Sequence, residues 1–271
     1  MRIHGLALLA VAALSAPRPL PTLTFSDPIS TLTVLPGETV RLEAMDRRWS
    51  WTAPPTPGLY PIRVVSEDQR DSMTIQAFVL VPYSELRGEY LHGYRIGHYP
   101  AQALRGLDLY RPPAGFIEVT PENADAFVSP HFQLKQFVCK QAGGYPKYIV
   151  LNAQLVQRLE KLLALVNASG YSASTFYVMS GYRTPAYNHA IGNVLYSRHT
   201  FGSAADIFID EDHDGQMDDL NGDGRSDERD ARVLYDLFDG PQSGGGLGKY
   251  APTEAHGPFV HVDLRDRRAR W

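Results

Sequence analysis

Three residues in the second half of the chain have the types and spacing of metal ligands. His199 and Asp206 lie seven positions apart in one polar segment, and His261 lies in the later segment Phe-Val-His-Val-Asp. Two neutral imidazoles and one carboxylate form the kind of three-ligand set that catalytic zinc sites use, with a fourth position open to water. The sequence therefore predicts a zinc site formed by these three residues.

Short strands and a tight turn must position these ligands. Residues 206–209 and 260–264 alternate as strands do, which puts His261 and Asp263 on one face. Gly202, with the small residues after it, allows a tight turn between the first two ligands. Upstream, the pattern predicts an amphipathic helix that begins after an N-cap at Asn152.

The ordered motifs resemble those of the zinc D-Ala-D-Ala carboxypeptidase superfamily. This group includes peptidoglycan endopeptidases, vancomycin-resistance D,D-dipeptidases and the Hedgehog signalling domain. The resemblance covers about residues 128–271 and is closest to the peptidoglycan-peptidase branch. Six segments carry it: Ser129–Phe137, Ser180–Pro185, Ser197–Asp206, the glycine-rich stretch 243–248, Gly257–Asp263, and the Arg/Trp tail Arg268–Trp271. The resemblance implies an α+β domain with a central antiparallel sheet, bound zinc, and a peptidoglycan peptide as substrate.

Hydrolysis at such a site needs a cationic group besides the metal. Zinc polarises the carbonyl and lowers the pKa of water, and a cation stabilises the developing oxyanion or holds a substrate carboxylate. Arg183, in the Ser180–Pro185 motif, is the predicted cation because its planar guanidinium can make two parallel bonds to a carboxylate or oxyanion. A structural ion pair is the alternative role for this arginine.

The general base is the second catalytic group to assign. The dipeptidase branch has an acid three residues before the last zinc histidine, and here that position holds Pro258. We predict His256 as the base, with Glu254 in the same loop as an alternative. Asp263 is predicted to support the imidazole of His261, and action as the base is its other possible role.

An acidic segment over 210–230 interrupts the predicted peptidase domain and resembles EF-hand and dockerin loops. The better pattern has an Asp at its last position, where EF-hands have Glu, and consists of Asp219, Asn221, Asp223, Gly224, Asp227 and Asp230. A poorer pattern consists of Asp210, Asp212, Asp214, Gly215 and Asp218. The sequence predicts at least one structural Ca²⁺ here and a helix over 231–238, with a solvated acidic loop as the alternative.

The remaining sequence divides into a leader, an accessory domain and a connector. Residues 1–16 have the positive start and short apolar run of a signal peptide, with an uncleaved anchor as the alternative. Short alternating strands over 20–83 predict a small immunoglobulin-like β-sandwich. Residues 84–115 are predicted as an ordered connector with one more hairpin, and residues 116–271 as the peptidase domain.

These features predict an exported, periplasmic or secreted, zinc peptidase that acts on peptidoglycan stem peptides or cross-links. Both carboxypeptidase and endopeptidase activities fit, and the accessory domain favours the endopeptidase. The alternatives are a non-catalytic cell-wall binding protein that holds zinc and calcium, and a calcium-dependent adhesion module. A net charge of −4 gives no reason to expect nucleic acid or an anionic membrane as a partner, and the single Cys139 excludes an intramolecular disulfide. Oligomeric state is not encoded in any motif.

Overall fold

The computed structural model describes residues 22–240 and 244–271. The predicted signal peptide and the first residues of the accessory domain lie outside this part of the chain. Within it, the protein is a mixed α/β structure with several small sheets and three α-helices. The described part contains no helix that is both long and apolar enough to cross a bilayer.

The N-terminal part consists of two three-stranded sheets around one apolar core. Its strands are β1 (Thr22–Phe25), β2 (Ile29–Val34), β3 (Thr39–Ala44), β4 (Arg47–Thr52), β5 (Gly58–Val65) and β6 (Ser72–Val79). The sheet orders are β1-β3-β4 and β2-β6-β5, and β1 pairs with β3, and β2 with β6, in parallel. The predicted strands are confirmed, but these parallel pairs do not establish an immunoglobulin-like topology.

The connector packs into the domain that follows it. Strand β7 (Val81–Pro82), at the end of the predicted accessory domain, pairs with strand β10 (Gly115–Val119), where the connector ends. Within the connector, β8 (Tyr90–Leu91) with β9 (Tyr94–Arg95) forms the expected hairpin. Buried aromatic residues of the connector share an apolar cluster with Phe201, beside the predicted metal ligands. The connector therefore forms part of the wall behind the site.

The C-terminal part has a five-stranded sheet with helices against one face. Its further elements are β11 (Phe127–Ser129), β12 (Phe132–Gln133), β13 (Lys147–Ile149), α1 (Ala153–Ala168), β14 (Tyr177–Ser180), α2 (Pro185–Ala190), β15 (Ala204–Phe208), α3 (Glu228–Phe238), β16 (Gly246–Tyr250), β17 (Phe259–Asp263) and β18 (Ala269–Arg270). The order of the large sheet is β14-β15-β17-β16-β18, antiparallel except for the parallel pair β16–β18.

Alternation along β15 and β17 separates the core from the site. Ala205 and Ile207 on β15, with Val260 and Val262 on β17, are fully buried and share an apolar cluster with α1 and α3. The apolar face of α1 is the one that the sequence predicts, and Asn152 caps the helix by accepting a hydrogen bond from the Gln154 amide. The packed face fixes the two strands, so their other face presents Asp206 and His261 in a defined position.

Candidate zinc site

His199 lies in a single 3₁₀ turn, Arg198–Phe201, that directly precedes β15. Its Nδ1–H donates to the carbonyl oxygen of Gly181 at 2.7 Å, which leaves Nε2 as the free ligand nitrogen. Gly202 ends the turn at φ +62°, and a Cβ there would overlap the carbonyl oxygen of Val150. Only glycine satisfies both conditions, which confirms the tight turn expected between the first two ligands.

Asp206 and His261 face each other across the pair β15–β17, where they are direct register partners. The Oδ1 atom of Asp206 lies 2.7 Å from Nδ1 of His261 and 3.3 Å from Nε2 of His199. Ligand atoms of all three residues lie within 4.8 Å of one another. The structure thus brings the three predicted zinc ligands together.

Asp263 lies behind His261 on the same face of β17 and is fully buried. Its Oδ2 accepts from Nε2–H of His261 at 3.2 Å, which leaves Nδ1 of that ring for a metal. Its oxygens also accept hydrogen bonds from the Arg265 guanidinium and from the Gly246 amide. With both oxygens occupied, Asp263 is suited to the predicted support of the imidazole and not to the alternative role of base.

The electrostatics of His199 and Asp206 favour the forms that bind a cation, whereas His261 must lose a proton when a metal binds. Burial lowers the pKa of His199, which keeps the imidazole neutral. Burial opposes ionisation of Asp206, yet its contacts with His199 and His261 hold the pKa of its carboxyl well below the usual range. Burial also disfavours the charge of His261, but the carboxylates of Asp206 and Asp263 raise its pKa. A cation bound here would displace the proton of His261 and be held by the ionised carboxylate of Asp206 and the neutral imidazole of His199.

The donor set fits zinc. Two imidazole nitrogens and one carboxylate oxygen converge, and each imidazole is fixed by a hydrogen bond from its other nitrogen. The set opens into a cleft of about 650 Å³, so a substrate can reach it from one side.

Arg183 lies in the same cleft, with its side chain 12% exposed. Its Nη2 donates to Oδ2 of Asp206, and its Nε donates to the Ser180 hydroxyl at 2.7 Å. The arginine therefore holds the carboxylate ligand from behind, as the alternative structural role expects. Its Nη1 makes no hydrogen bond within the described part of the chain, so the predicted oxyanion or carboxylate role is also compatible with this position.

The predicted base, His256, lines the cleft as well. Its Nδ1–H donates to the Gly257 carbonyl at 2.8 Å, and its ring packs edge-on against Phe259. In the neutral tautomer that makes this hydrogen bond, the lone pair is on Nε2, the atom that a general base would use. Glu254 is exposed and is not among the cleft residues, and Pro258 is buried where the dipeptidase branch has its acid.

Several cleft residues were missed at the level of sequence. Lys140, Arg198 and Arg265 bring three further cations to the walls, and Tyr250 stacks on Phe259 at 4.6 Å. Trp271 donates to the Tyr250 hydroxyl, and its ring lies 5.5 Å from that of His261. None of these residues lies in a spacing pattern that identifies it, although the Arg/Trp tail was part of the resemblance.

The acidic segment does not support the preferred calcium pattern. Asp227 and Asp230 form a capping box at the start of α3, which begins three residues earlier than predicted. Asp223 and Asp227 also pair with Arg229, and Asp219 accepts three backbone amides of its own loop. These carboxylates are already satisfied by local donors, and Asn221 also contacts Asp230.

The poorer pattern brings its carboxylates closer together. One carboxylate oxygen from each of Asp210, Asp212 and Asp218 lies within 4.8 Å of the others, whereas Asp214 bonds to Gln216. These three carboxylates also accept backbone amides of their own loop, so local donors alone do not distinguish the two patterns. Burial, with the charges of Asp212 and Asp210, raises the pKa of Asp218. In the part of the chain that the structure describes, this is the acidic group closest to a calcium arrangement, and the calcium sites stay predictions.

A family model described as Peptidase M15 matches residues 130–222. The match supports the resemblance of this segment to the M15 zinc peptidase superfamily. It covers Arg183, His199 and Asp206 but ends before His261, so the third ligand rests on the geometry above. M15 peptidases are zinc-dependent, in agreement with the donor set. No curated protein matches the chain.

Proposed function

We propose that this protein is an exported zinc peptidase that hydrolyses peptide bonds in peptidoglycan stem peptides or cross-links. The observation that carries the proposal is the convergence of His199, Asp206 and His261, with both imidazoles fixed from behind, at an open cleft. The family match over 130–222 supports peptidase chemistry. The resemblance to the peptidoglycan-peptidase branch supports the substrate class.

Each cleft residue has a defined task in this proposal. When bound, zinc polarises the scissile carbonyl and lowers the pKa of water. His256 takes a proton at its free Nε2, and Arg183 offers Nη1 to the developing oxyanion while it holds Asp206 in place. Asp263 fixes the ring of His261 and takes no proton, since hydrogen bonds from His261 and Arg265 outweigh its burial and hold its pKa far below the usual range.

The hydrolysis is tested by digesting purified sacculi with the zinc-loaded protein and analysing the muropeptides by mass spectrometry. We expect new muropeptides, whose masses identify the cleaved bond. His261→Ala should give none because it lacks a metal ligand, and His256→Ala should keep zinc but lose about 10²- to 10⁴-fold in rate, the usual contribution of a general base.

A digest that leaves the sacculi unchanged, with one equivalent of zinc present, contradicts the proposal. It favours instead the non-catalytic cell-wall binding protein, for which the proline at the usual position of the acid gives a reason. Full activity of His256→Ala, with His261→Ala inactive, leaves the peptidase proposal intact but removes His256 as the base.

We also propose a structural calcium ion at Asp210, Asp212 and Asp218, whose carboxylates would repel one another without a cation. Calcium in about 100-fold excess over its Kd should stabilise the fold by about 2.7 kcal/mol, which raises Tm by about 2–4 °C per kcal/mol. The measurement is a thermal melt across a calcium and chelator titration. Asp212→Asn should abolish the shift, whereas the matched Asp223→Asn should not.

The calcium proposal has two contrary outcomes. An unchanged Tm across the titration supports the solvated acidic loop. Loss of the shift in Asp223→Asn alone moves the ion to the second pattern, which the sequence favours.

A further inference from the structure

The cleft contains more positive charge than the metal ligands require. Four cationic side chains line it: Lys140, Arg183, Arg198 and Arg265. Three of them are in ion pairs: Arg183 with Asp206, Arg265 with both oxygens of Asp263, and Arg198 with Oδ1 of Asp263 at 3.6 Å, which is too long for a hydrogen bond. Arg198 differs from the other two arginines of the cleft, whose guanidinium groups donate hydrogen bonds to their carboxylates.

The Arg198 side chain is partly desolvated and donates no hydrogen bond within the described part of the chain. Its Nε is buried without a hydrogen bond, and the nearest carboxylate oxygen, Oδ1 of Asp263, is 3.6 Å away. Asp263 is held at this distance because its oxygens already accept hydrogen bonds from His261, Arg265 and the Gly246 amide. The Arg198 side chain is still 23% exposed and lines the cleft. A buried charged donor without a hydrogen bond is costly in a native protein, and the accessible part of the same guanidinium is free to bind an anion in the cleft.

The surroundings of Arg198 fix its guanidinium in place. Its Cζ lies 5.3 Å from the centre of the Tyr110 ring, and Tyr110, which is 2% exposed, is held edge-on by Tyr196 and Phe201. Because a stacked, planar fork loses little conformational entropy when it binds, it can select a planar anion such as a carboxylate.

The contacts of Arg198 place its guanidinium close to the reaction. Its Nε lies 3.6 Å from Oδ1 of Asp263, whose Oδ2 accepts a hydrogen bond from the ligand His261, and Arg198 and the ligands line one cleft. A carboxylate on the residue that follows the scissile carbonyl is only a few bonds away from that carbonyl. Both the metal and the guanidinium can therefore contact the same short stretch of substrate.

We propose that Arg198 binds a free carboxylate on the substrate residue directly after the scissile bond. This inference rests on the proposed peptidase function and makes Arg198 a determinant of its specificity. In a stem peptide, two groups offer that chemistry: the terminal carboxylate of the last D-alanine, and the free α-carboxylate of a γ-linked D-glutamate. The first makes the protein a carboxypeptidase, and the second makes it an endopeptidase.

The test compares three synthetic pentapeptide stems: the free acid, its C-terminal carboxamide, and the analogue with a carboxamide at the glutamate α-position. The wild type, Arg198→Gln and Arg198→Lys are assayed on each. The control is Arg267→Gln, which makes the same charge change at an exposed residue outside the cleft. Arg198→Gln should lower kcat/KM on the free acid by about 10- to 100-fold, mainly through KM, as expected for a charge-assisted bidentate bond.

One of the two amide peptides has a carboxamide in place of the carboxylate that Arg198 binds. That peptide should be a poor substrate for the wild type and show no further loss in Arg198→Gln, which identifies the source of the carboxylate. Arg198→Lys should recover part of the preference, and Arg267→Gln should match the wild type. Equal losses on acid and both amides overturn the inference, because they indicate a structural role. If the wild type cleaves none of the peptides, the digestion of sacculi decides whether the proposed function fails, and calorimetric binding of the same three peptides decides whether Arg198 recognises a carboxylate.

Discussion

The His199→Ala/His261→Ala double variant is expected to purify without stoichiometric zinc and to hydrolyse no peptide at a measurable rate. It leaves Asp206 as the only predicted ligand, and one carboxylate does not hold zinc against its hydration. Because the metal supplies several kcal/mol of transition-state stabilisation, and each 1.36 kcal/mol is tenfold in rate, the rate should fall by about 10³-fold or more. The wild type should contain one equivalent of zinc by elemental analysis.

The matched control removes two exposed histidines, His98 and His213, which lie outside the site. His98→Ala/His213→Ala should keep both zinc and activity. A thermal melt of each variant separates loss of metal from loss of fold. Stoichiometric zinc that survives in the site variant contradicts the assignment, since the metal must then have other ligands.

The ligand types and the local elements could be predicted from the sequence, because those signals are short-range. Period-two alternation puts His261 and Asp263 on one face of β17, and the N-cap at Asn152 follows from local hydrogen-bond chemistry. The register that sets Asp206 opposite His261 could not be predicted. It depends on long-range pairing within a sheet whose strands are far apart in the chain.

The calcium loops show how one pattern can carry two signals. Asp227 and Asp230 match positions of a calcium loop, but they also match an N-cap and its partner three residues later, ahead of an apolar helical stripe. The structure uses both residues for capping, because backbone amides of the first turn are adjacent donors. The capping signal was readable in the sequence and would have placed the helix start correctly.

The role of Arg198 had no sequence signal at all. An arginine beside a metal ligand could equally have been paired or solvated. Its unsatisfied state results from three separate segments: Tyr110 of the connector stacks beneath it, while Arg265 and the Gly246 amide already occupy Asp263. Such competition for one carboxylate is a property of the packed structure and can only be found there.

Asp263→Asn is expected to weaken zinc binding by about 10- to 100-fold, the usual effect of losing a hydrogen-bond partner of a metal-bound histidine. An amide is a weaker acceptor for Nε2–H of His261, so the ring is less basic and less well fixed. The change also leaves the Arg265 guanidinium without its carboxylate, which should lower the free energy of unfolding by about 3 kcal/mol. A chelator competition gives the zinc affinity, and denaturant unfolding gives the stability.

Arg265→Gln separates the two effects of Asp263→Asn, because it breaks the same ion pair and leaves the carboxylate on His261. If Asp263 acts through the imidazole, Arg265→Gln should lose stability but retain most of its zinc affinity. Asp239→Asn, which removes a carboxylate from an arginine pair at the C-terminal tail, is the control for charge alone. Equal zinc affinities of Asp263→Asn and Arg265→Gln would reduce Asp263 to a structural role, and the orientation of His261 would then depend on Asp206 and the register of β15 with β17.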